Sequence, residues 1–224
     1  MHILLRSILT CYKNPTGSRL GAIRTRGVPA ARLHASSVMD KHIITIDAYA
    51  DVEDILSSVG EPGPTMLFVV ENDFLVGVIT KADLLHLVKS KKPIEEIMNQ
   101  KIVTISPDDR IIHARRQMID EEIARLPVVN NGILIGMISD IDIAFALEKI
   151  KKSFPLGRQK HQLEELLVND AMTAPAISIE SNKTVVDAAE IMREHHVGCL
   201  PVIKNKKIIG IISRTDLLKT IEFK

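Results

Sequence analysis

Tryptophan is absent from the 224 residues, and aromatic side chains of every kind make up 3%. A core must therefore be assembled from Ile, Val, Leu, Ala and Met, within a hydrophobic fraction of 46%, which predicts an aliphatic interior of helices on sheets. Two cysteines, Cys11 and Cys199, are too few for a disulfide framework or a zinc site, and they fit a reducing compartment. No apolar run approaches the ~18 to 20 residues of a membrane helix. The longest, such as Ile208 to Ile212, are strand-sized, so a soluble protein without membrane insertion is expected. Acid is missing from residues 1 to 39, which carry six Lys and Arg. The remainder holds 23 Lys and Arg against 28 Asp and Glu, a net −5 that gives the body no general attraction for nucleic acid, although the basic leader or a local patch could act.

Catalytic strings are missing as well. No Gly-x-Gly-x-x-Gly, Walker-type, Cys-x-x-Cys or Gly-x-Ser-x-Gly sequence occurs, and neither a nucleophile with its base nor a carboxylate pair in a defined context can be assigned. His195 and Cys199 stand four apart without further ligands in register, and His195-His196 reads as a helix end. The expectation is a non-enzyme with no metal and no required cofactor.

What is present is a phrase written three times: GVITKADLL from Gly77, GMISDIDIA from Gly136 and GIISRTDLL from Gly210. Recurrence on this scale implies stacked supersecondary units sharing one core. The last unit, Asn169 to Glu222, reads as Met172, a strand Ala176 to Ile179, a helix capped by Ser181 and carrying Val185, Ala188, Ala189 and Met192, strands Cys199 to Ile203 and Ile208 to Ile212, and a closing helix from Asp216. The middle unit, Ile97 to Leu147, repeats the order: Met98, strand Ile102 to Ile105, a helix opened by Pro107 with Ile111, Ala114, Met118 and Ile119, then strands Leu126 to Val129 and Ile133 to Ile138 around Asn130-Asn131-Gly132. The first, Val38 to Val88, matches with Met39, strand Ile43 to Ile46, helical Val52, Ile55, Leu56 and Val59, and strands Met66 to Val70 and Leu75 to Ile79. It departs in a helix-breaking loop, Gly60 to Pro64.

Upstream, Ile8 to Tyr12 and Leu20 to Ile23 suggest half of a fourth copy, since Gly21 precedes Gly77 by 56 residues where 59 separate Gly77 from Gly136. An organelle transit peptide or an unstructured tail are the alternatives for residues 1–36. Glu148 to Glu165, with its lysines around Pro155 and Gly157, reads as an exposed spacer.

The element order, the leading Met, the Leu-Pro-Val pair (Leu126 to Val128, Leu200 to Val202) and the closing Gly-x-Ile-Ser/Thr-x-x-Asp together resemble the CBS domain, named after cystathionine beta-synthase, over residues 38 to 222. The resemblance implies an α+β fold of tandem strand-helix-strand-strand-helix repeats at 37–90, 96–149 and 167–222, with a linker at 150–166, paired into Bateman-type modules. It also implies clefts that bind adenosine-containing regulatory ligands, AMP, ADP, ATP or S-adenosylmethionine. The function implied is regulatory nucleotide or energy sensing, signalling in trans to an unidentified protein effector. Three full repeats in a fold built from pairs imply a homodimer, and a cytoplasmic location is expected unless residues 1–36 address an organelle.

Chemistry beside the resemblance picks out Thr80, Ser139 and Ser213 at strand-to-helix junctions, where free amides and a hydroxyl suit a phosphate. Asp83, Asp142 and Asp216, one turn inside, suit a ribose diol. From the family pattern come Val70, Val129 and Ile203 as contacts to the base, with Ala114 and Ala188 leaving room for it. Arg214, next to Ser213, suits the phosphate where Asp140 would repel it after Ser139. Lys81 ranks the first unit second, and Arg125 can point into the neighbouring cleft. The competing reading is a capping box, in which Ser/Thr-x-x-Asp satisfies only its own helix, leaving a ligand-free scaffold.

Overall fold

The structure, a computed structural model, describes residues 34–59, 64 and 66–222. The half-repeat read at the front and most of the loop Gly60 to Pro64 lie outside the described residues. The chain divides into two compact units, Met1–Leu84 with Phe223–Lys224, and Leu85–Glu222.

The first unit contains α1 (Ala35–Val38), β1 (Thr45–Asp47), α2 (Val52–Ser58), β2 (Met66–Glu71) and β3 (Phe74–Thr80). β1 runs parallel to β2 and β2 antiparallel to β3, so β3 forms an edge of the sheet. Asp51 caps α2 by accepting the Asp54 N–H at 2.9 Å. The hairpin closes through Asn72 and Asp73, both at positive φ, the two-residue turn whose twist matches that of its strands. The repeat ends in a 3-10 turn, Asp83–Leu87, where the sequence suggests a helix, and the division between the units falls inside it.

The second unit holds two copies of the pattern. The first comprises a 3-10 turn (Ile94–Glu96), α3 (Ile111–Asp120), β4 (Arg125–Asn130), β5 (Ile133–Ser139) and α4 (Asp140–Ser153). After α5 (Leu156–Glu165) the second comprises a 3-10 turn (Val168–Asp170), β6 (Ile179–Glu180), α6 (Val185–Glu194), β7 (Cys199–Lys204), β8 (Lys207–Ser213) and α7 (Arg214–Leu218). Each hairpin turns through two residues at positive φ, Asn131-Gly132 and Asn205-Lys206, and each carries its bulge at the same place, after Val128 and after Val202. Strand alternation sends Leu126, Val128 and Ile138, and likewise Leu200, Val202 and Ile212, onto the helices. There they meet the buried Ile111, Ala114 and Met118 of α3 and Val185, Ala188, Ala189 and Met192 of α6. The opposite sheet face carries the buried Pro127 and Pro201.

Several expected elements differ. Ile102 to Ile105 contributes a single bridge, Ile105 to Val128, and only Ile179–Glu180 of the third first-strand is paired. Thr184, not Ser181, caps α6: Thr184 and Asp187 close a reciprocal capping box, and Ser181 lies three residues ahead of it with its amide bonded to Ile203 O at 2.9 Å. Pro107 lies ahead of α3, whose first amide is satisfied from the residue that follows α5, Ile111 N–H to Leu166 O at 2.9 Å. The stretch read as a spacer is helical. α4 continues to Ser153, Pro155 stands before α5, and Ile150 and Leu163 are buried while Lys149, Lys151 and Lys152 face outward.

Candidate functional site

The two repeats of the second unit exchange their leading segments. Asn99 bonds Ile211 on β8 in both directions at 2.9 Å, and Thr173 bonds Met137 on β5 at 2.8 and 2.9 Å. The leading Met of each repeat thereby comes to rest on the motif glycine of the other, Met98 on Gly210 and Met172 on Gly136. A Cβ at Gly136 would sit 2.8 Å from Met172 Sδ and 2.9 Å from Thr173 O, and one at Gly210 would sit 2.9 Å from Met98 Cγ. These glycines therefore answer to close approach. The sheets also meet directly, Leu134 N–H on β5 bonding Lys206 O at 3.4 Å.

This reciprocal geometry places the motif ends around the paired sheets. Ser139 heads α4, its Oγ–H donating to Asp142 Oδ2 at 2.6 Å and its N–H to the same oxygen at 2.8 Å, while Asp142 N–H donates back to Ser139 Oγ at 3.2 Å. Ser213 and Asp216 repeat those bonds at 2.6, 2.8 and 3.4 Å. Thr80 donates to Asp83 in the same way in the first unit, through Oγ1 at 2.6 Å and N–H at 2.8 Å. A hydroxyl has one proton, and here it is committed to the aspartate. Thr80, Ser139 and Ser213 thus make, in this structure, the bonds of the competing capping reading. The aspartates retain a second oxygen. Asp142 Oδ1 accepts from Thr173 Oγ1 of the exchanged leader at 3.4 Å, whereas Asp216 Oδ1 accepts no hydrogen bond among the described residues.

Cations gather at one of the two motif ends. Arg125 starts β4 beside Ser139, yet its guanidinium crosses to the other repeat and lies over Gly198, where a Cβ would come within 3.0 Å of an Nη. Arg214, immediately after Ser213, donates its backbone N–H to Gly198 O at 3.1 Å. Both positive charges act on the Cys199 thiol. Burial pushes that thiol up, and Arg125, then Arg214, pull it back. In the related position of the middle repeat Asp140 follows Ser139, donating its N–H to Ala124 O at 3.1 Å. The Ser213 end is thus cationic and the Ser139 end acidic.

Val129 and Ile203 are half-buried, each on the strand face that carries Arg125 or Cys199, and Val70 is half-buried on β2. Ala114 and Ala188 are fully enclosed in the helix–sheet core, so they do not line a cleft. In the first unit Lys81 is half-buried after Thr80. A separate groove of about 380 Å³ runs along α3, lined by Ile105, Asp109, His113, Arg116, Gln117, Asp120 and Glu121. Three of its charges are paired, Arg116 with Asp120 at 3.6 Å and Glu121 with Lys101 at 3.4 Å. Among the described residues no three His, Cys, Asp or Glu gather to hold a metal, and no helix is long and apolar enough to cross a membrane.

The second unit is a two-repeat module whose sheets pair through exchanged leaders, with motif ends of opposite charge. The CBS domain family matches residues 35–90, 94–149 and 168–222, and the chain belongs to that family. It is 33% identical over 156 residues to MJ1404 of Methanocaldococcus jannaschii, covering 66% of this chain and 37% of that one. A CBS domain-containing protein of Dictyostelium discoideum is 35% identical over 130 residues, covering 56% and 88%. MJ1225 of M. jannaschii is 27% identical over 195 residues, covering 81% and 68%. Its crystal structure superposes with a TM-score of 0.68 at 23% identity, covering 83% of this chain and 69% of that chain, which establishes the shared fold. The chain therefore spans little more than a third of MJ1404 and about two thirds of MJ1225.

Proposed function

We propose that this protein is a non-catalytic regulatory sensor that binds an adenosine-containing ligand, AMP, ADP, ATP or S-adenosylmethionine, between its second and third repeats and signals to a protein effector in trans. The observation that carries this reading is the convergence of Arg125 and Arg214, from different repeats, on Gly198 and Cys199 next to Ser213. The Arg125 guanidinium over Gly198, with a second arginine next to Ser213, favours a phosphate. Asp216 Oδ1 is open to a ribose hydroxyl, and Val129 and Ile203 offer aliphatic contact to a base. A ligand bridging both repeats would favour one arrangement of the pair over another, and that difference in affinity is the signal. MJ1225, itself described as a proposed archaeal homolog of g-AMPK, supports the same direction. Self-association and a cytoplasmic setting complete the reading.

A ligand-free scaffold is favoured by the closed capping boxes, which satisfy the motif residues without any ligand. Thermal unfolding with each of the four ligands separates the two. A ligand at 100 times its dissociation constant adds about 2.7 kcal/mol. A raised midpoint with one of them supports the sensor, and unchanged midpoints with all four support the scaffold.

A further inference from the structure

Two side chains stand at the Ser139 end where the polar groups of a nucleotide would have to go. Asp140 Oδ1 accepts the Ile141 N–H at 2.8 Å, so a carboxylate already occupies an amide in the first turn of the 14-residue α4. Thr173 Oγ1 donates to Asp142 Oδ1 at 3.4 Å. Its leader is pinned to β5 from both sides, Thr173 N–H to Met137 O at 2.8 Å and Met137 N–H to Thr173 O at 2.9 Å. A residue held in this way and branched at Cβ has few ways to turn its hydroxyl aside. With an anion on the helix start and a hydroxyl on the aspartate, the chain presents to its own motif what a phosphate and a ribose would present.

The Ser213 end has the same backbone and neither of those groups. Asp140 N–H bonds Ala124 O and Arg214 N–H bonds Gly198 O, both at 3.1 Å, which makes the two positions equivalent. Asn99 bonds Ile211 in both directions as Thr173 bonds Met137, so these positions match as well. Yet residue 214 is a cation where residue 140 is a carboxylate. The Asn99 Oδ1 turns back to its own leader and accepts the Lys101 N–H at 2.9 Å. Asp216 Oδ1 accepts no hydrogen bond among the described residues. Identical Ser-x-x-Asp caps therefore sit in opposite settings, and the caps themselves do not account for the difference.

We infer that Asp140 and Thr173 determine where this pair of repeats accepts a nucleotide: they shut phosphate and ribose out of the Ser139 end, so that the second and third repeats hold a single phosphate-bearing adenosine ligand, at the Ser213 end. A phosphate brought to the start of α4 meets the Asp140 carboxylate on the Ile141 amide, and like charges at that distance repel. A ribose hydroxyl has to displace Thr173 from Asp142 before it can bond there. The inference rests on the sensor reading proposed above and deepens it, giving that sensor one ligand for each pair of repeats and naming the two residues responsible.

The test grafts the open end onto the closed one. Asp140→Arg with Thr173→Asn gives the Ser139 end the residue types that Arg214 and Asn99 supply at the other, and calorimetric titration of the full chain with AMP counts sites before and after. The grafted chain should gain one site. Lacking a counterpart of Arg125, that site should be weaker than the wild-type one by roughly 10- to 100-fold. Adenosine should compete for it, and inorganic phosphate at the same concentration should not. Where the graft lowers the thermal midpoint too far for titration, the milder pair Asp140→Asn with Thr173→Val removes the same two groups and should gain a site weaker again. No added site in either folded variant overturns the inference, and so does an added site that inorganic phosphate fills as readily as AMP. A wild type that binds no AMP speaks against the sensor reading, whereas the gain or lack of gain on grafting decides this inference.

Discussion

Met98 rests its side chain on Gly210, which belongs to the other repeat. Each leading Met stands 38 residues before the glycine of its own repeat, Met39 before Gly77, Met98 before Gly136 and Met172 before Gly210. In the second unit, however, it seats on the glycine of its neighbour. A glycine that reads as the end of a strand is therefore a contact between repeats.

Filling that contact should separate the repeats. Gly210→Ala places a Cβ 2.9 Å from Met98 Cγ and 3.2 Å from its Cβ, and Gly136→Ala places one 2.9 Å from Thr173 O, a backbone atom that cannot swing aside. Each should cost about 1–3 kcal/mol, the ordinary penalty of overpacking. Urea unfolding of the two variants checks this, and shortening Met98 to Ala in the Gly210→Ala background should recover part of the loss.

Arg125→Gln and Arg214→Gln should weaken a phosphate-bearing ligand and leave the nucleoside alone nearly untouched. Charge-assisted hydrogen bonds contribute about 1.5–3 kcal/mol, so each change should cost AMP roughly 10- to 100-fold in affinity. Parallel titrations with AMP and adenosine read the difference.

The architecture was legible in the residues because the thrice-written phrase carries its own register. Asn-Asp, Asn-Gly and Asn-Lys mark the positive-φ turns, and alternation in Leu-Pro-Val-Val and Leu-Pro-Val-Ile separates helix-facing from sheet-facing side chains. Leader exchange was not legible, since spacing along a chain does not say whether Met98 meets Gly136 or Gly210. For the same reason α3 needed no cap of its own sequence, its first amide being bonded to Leu166 O, which lies beyond α5. The spacer at Glu148 to Glu165 is largely exposed, as its lysines indicate; what they did not reveal is that it is helical and anchored by the buried Ile150 and Leu163. Within the candidate site, residue types alone left Ser-x-x-Asp open between cap and ligand contact. The Oγ to Oδ2 distances of 2.6 Å show the cap formed.

Acid should loosen α6 through one carboxylate. The Thr184 backbone N–H, then its hydroxyl, hold Asp187 below the ordinary carboxylate value. A depressed folded value means that the stabilisation is fully present above the unfolded value, roughly 4, and is lost as pH falls through the folded one. Asp187→Asn should therefore lower stability at pH 7 by about 0.5–2 kcal/mol as a lost cap. The difference from wild type should shrink as pH falls below the unfolded value, in denaturant titrations that extend into that acid range.

Cys199 reports on the same two cations without a ligand. Its thiol is raised by burial and pulled back chiefly by Arg125, so Arg125→Gln should shift the midpoint of its pH–alkylation profile upward. Peptide mass spectrometry distinguishes it from Cys11. An unmoved midpoint would place Arg125 elsewhere in solution.

Calorimetric titration of the intact chain with AMP, alongside the Arg125→Gln, Arg214→Gln double variant, addresses the sensor most directly. Saturable binding by the wild type, abolished or reduced by at least about 100-fold in the folded double variant, is the predicted outcome, given two charge-assisted contacts. No binding of AMP, ADP, ATP or S-adenosylmethionine at millimolar concentration, or binding that the double variant retains in full, would contradict the assignment of that cationic end to a nucleotide.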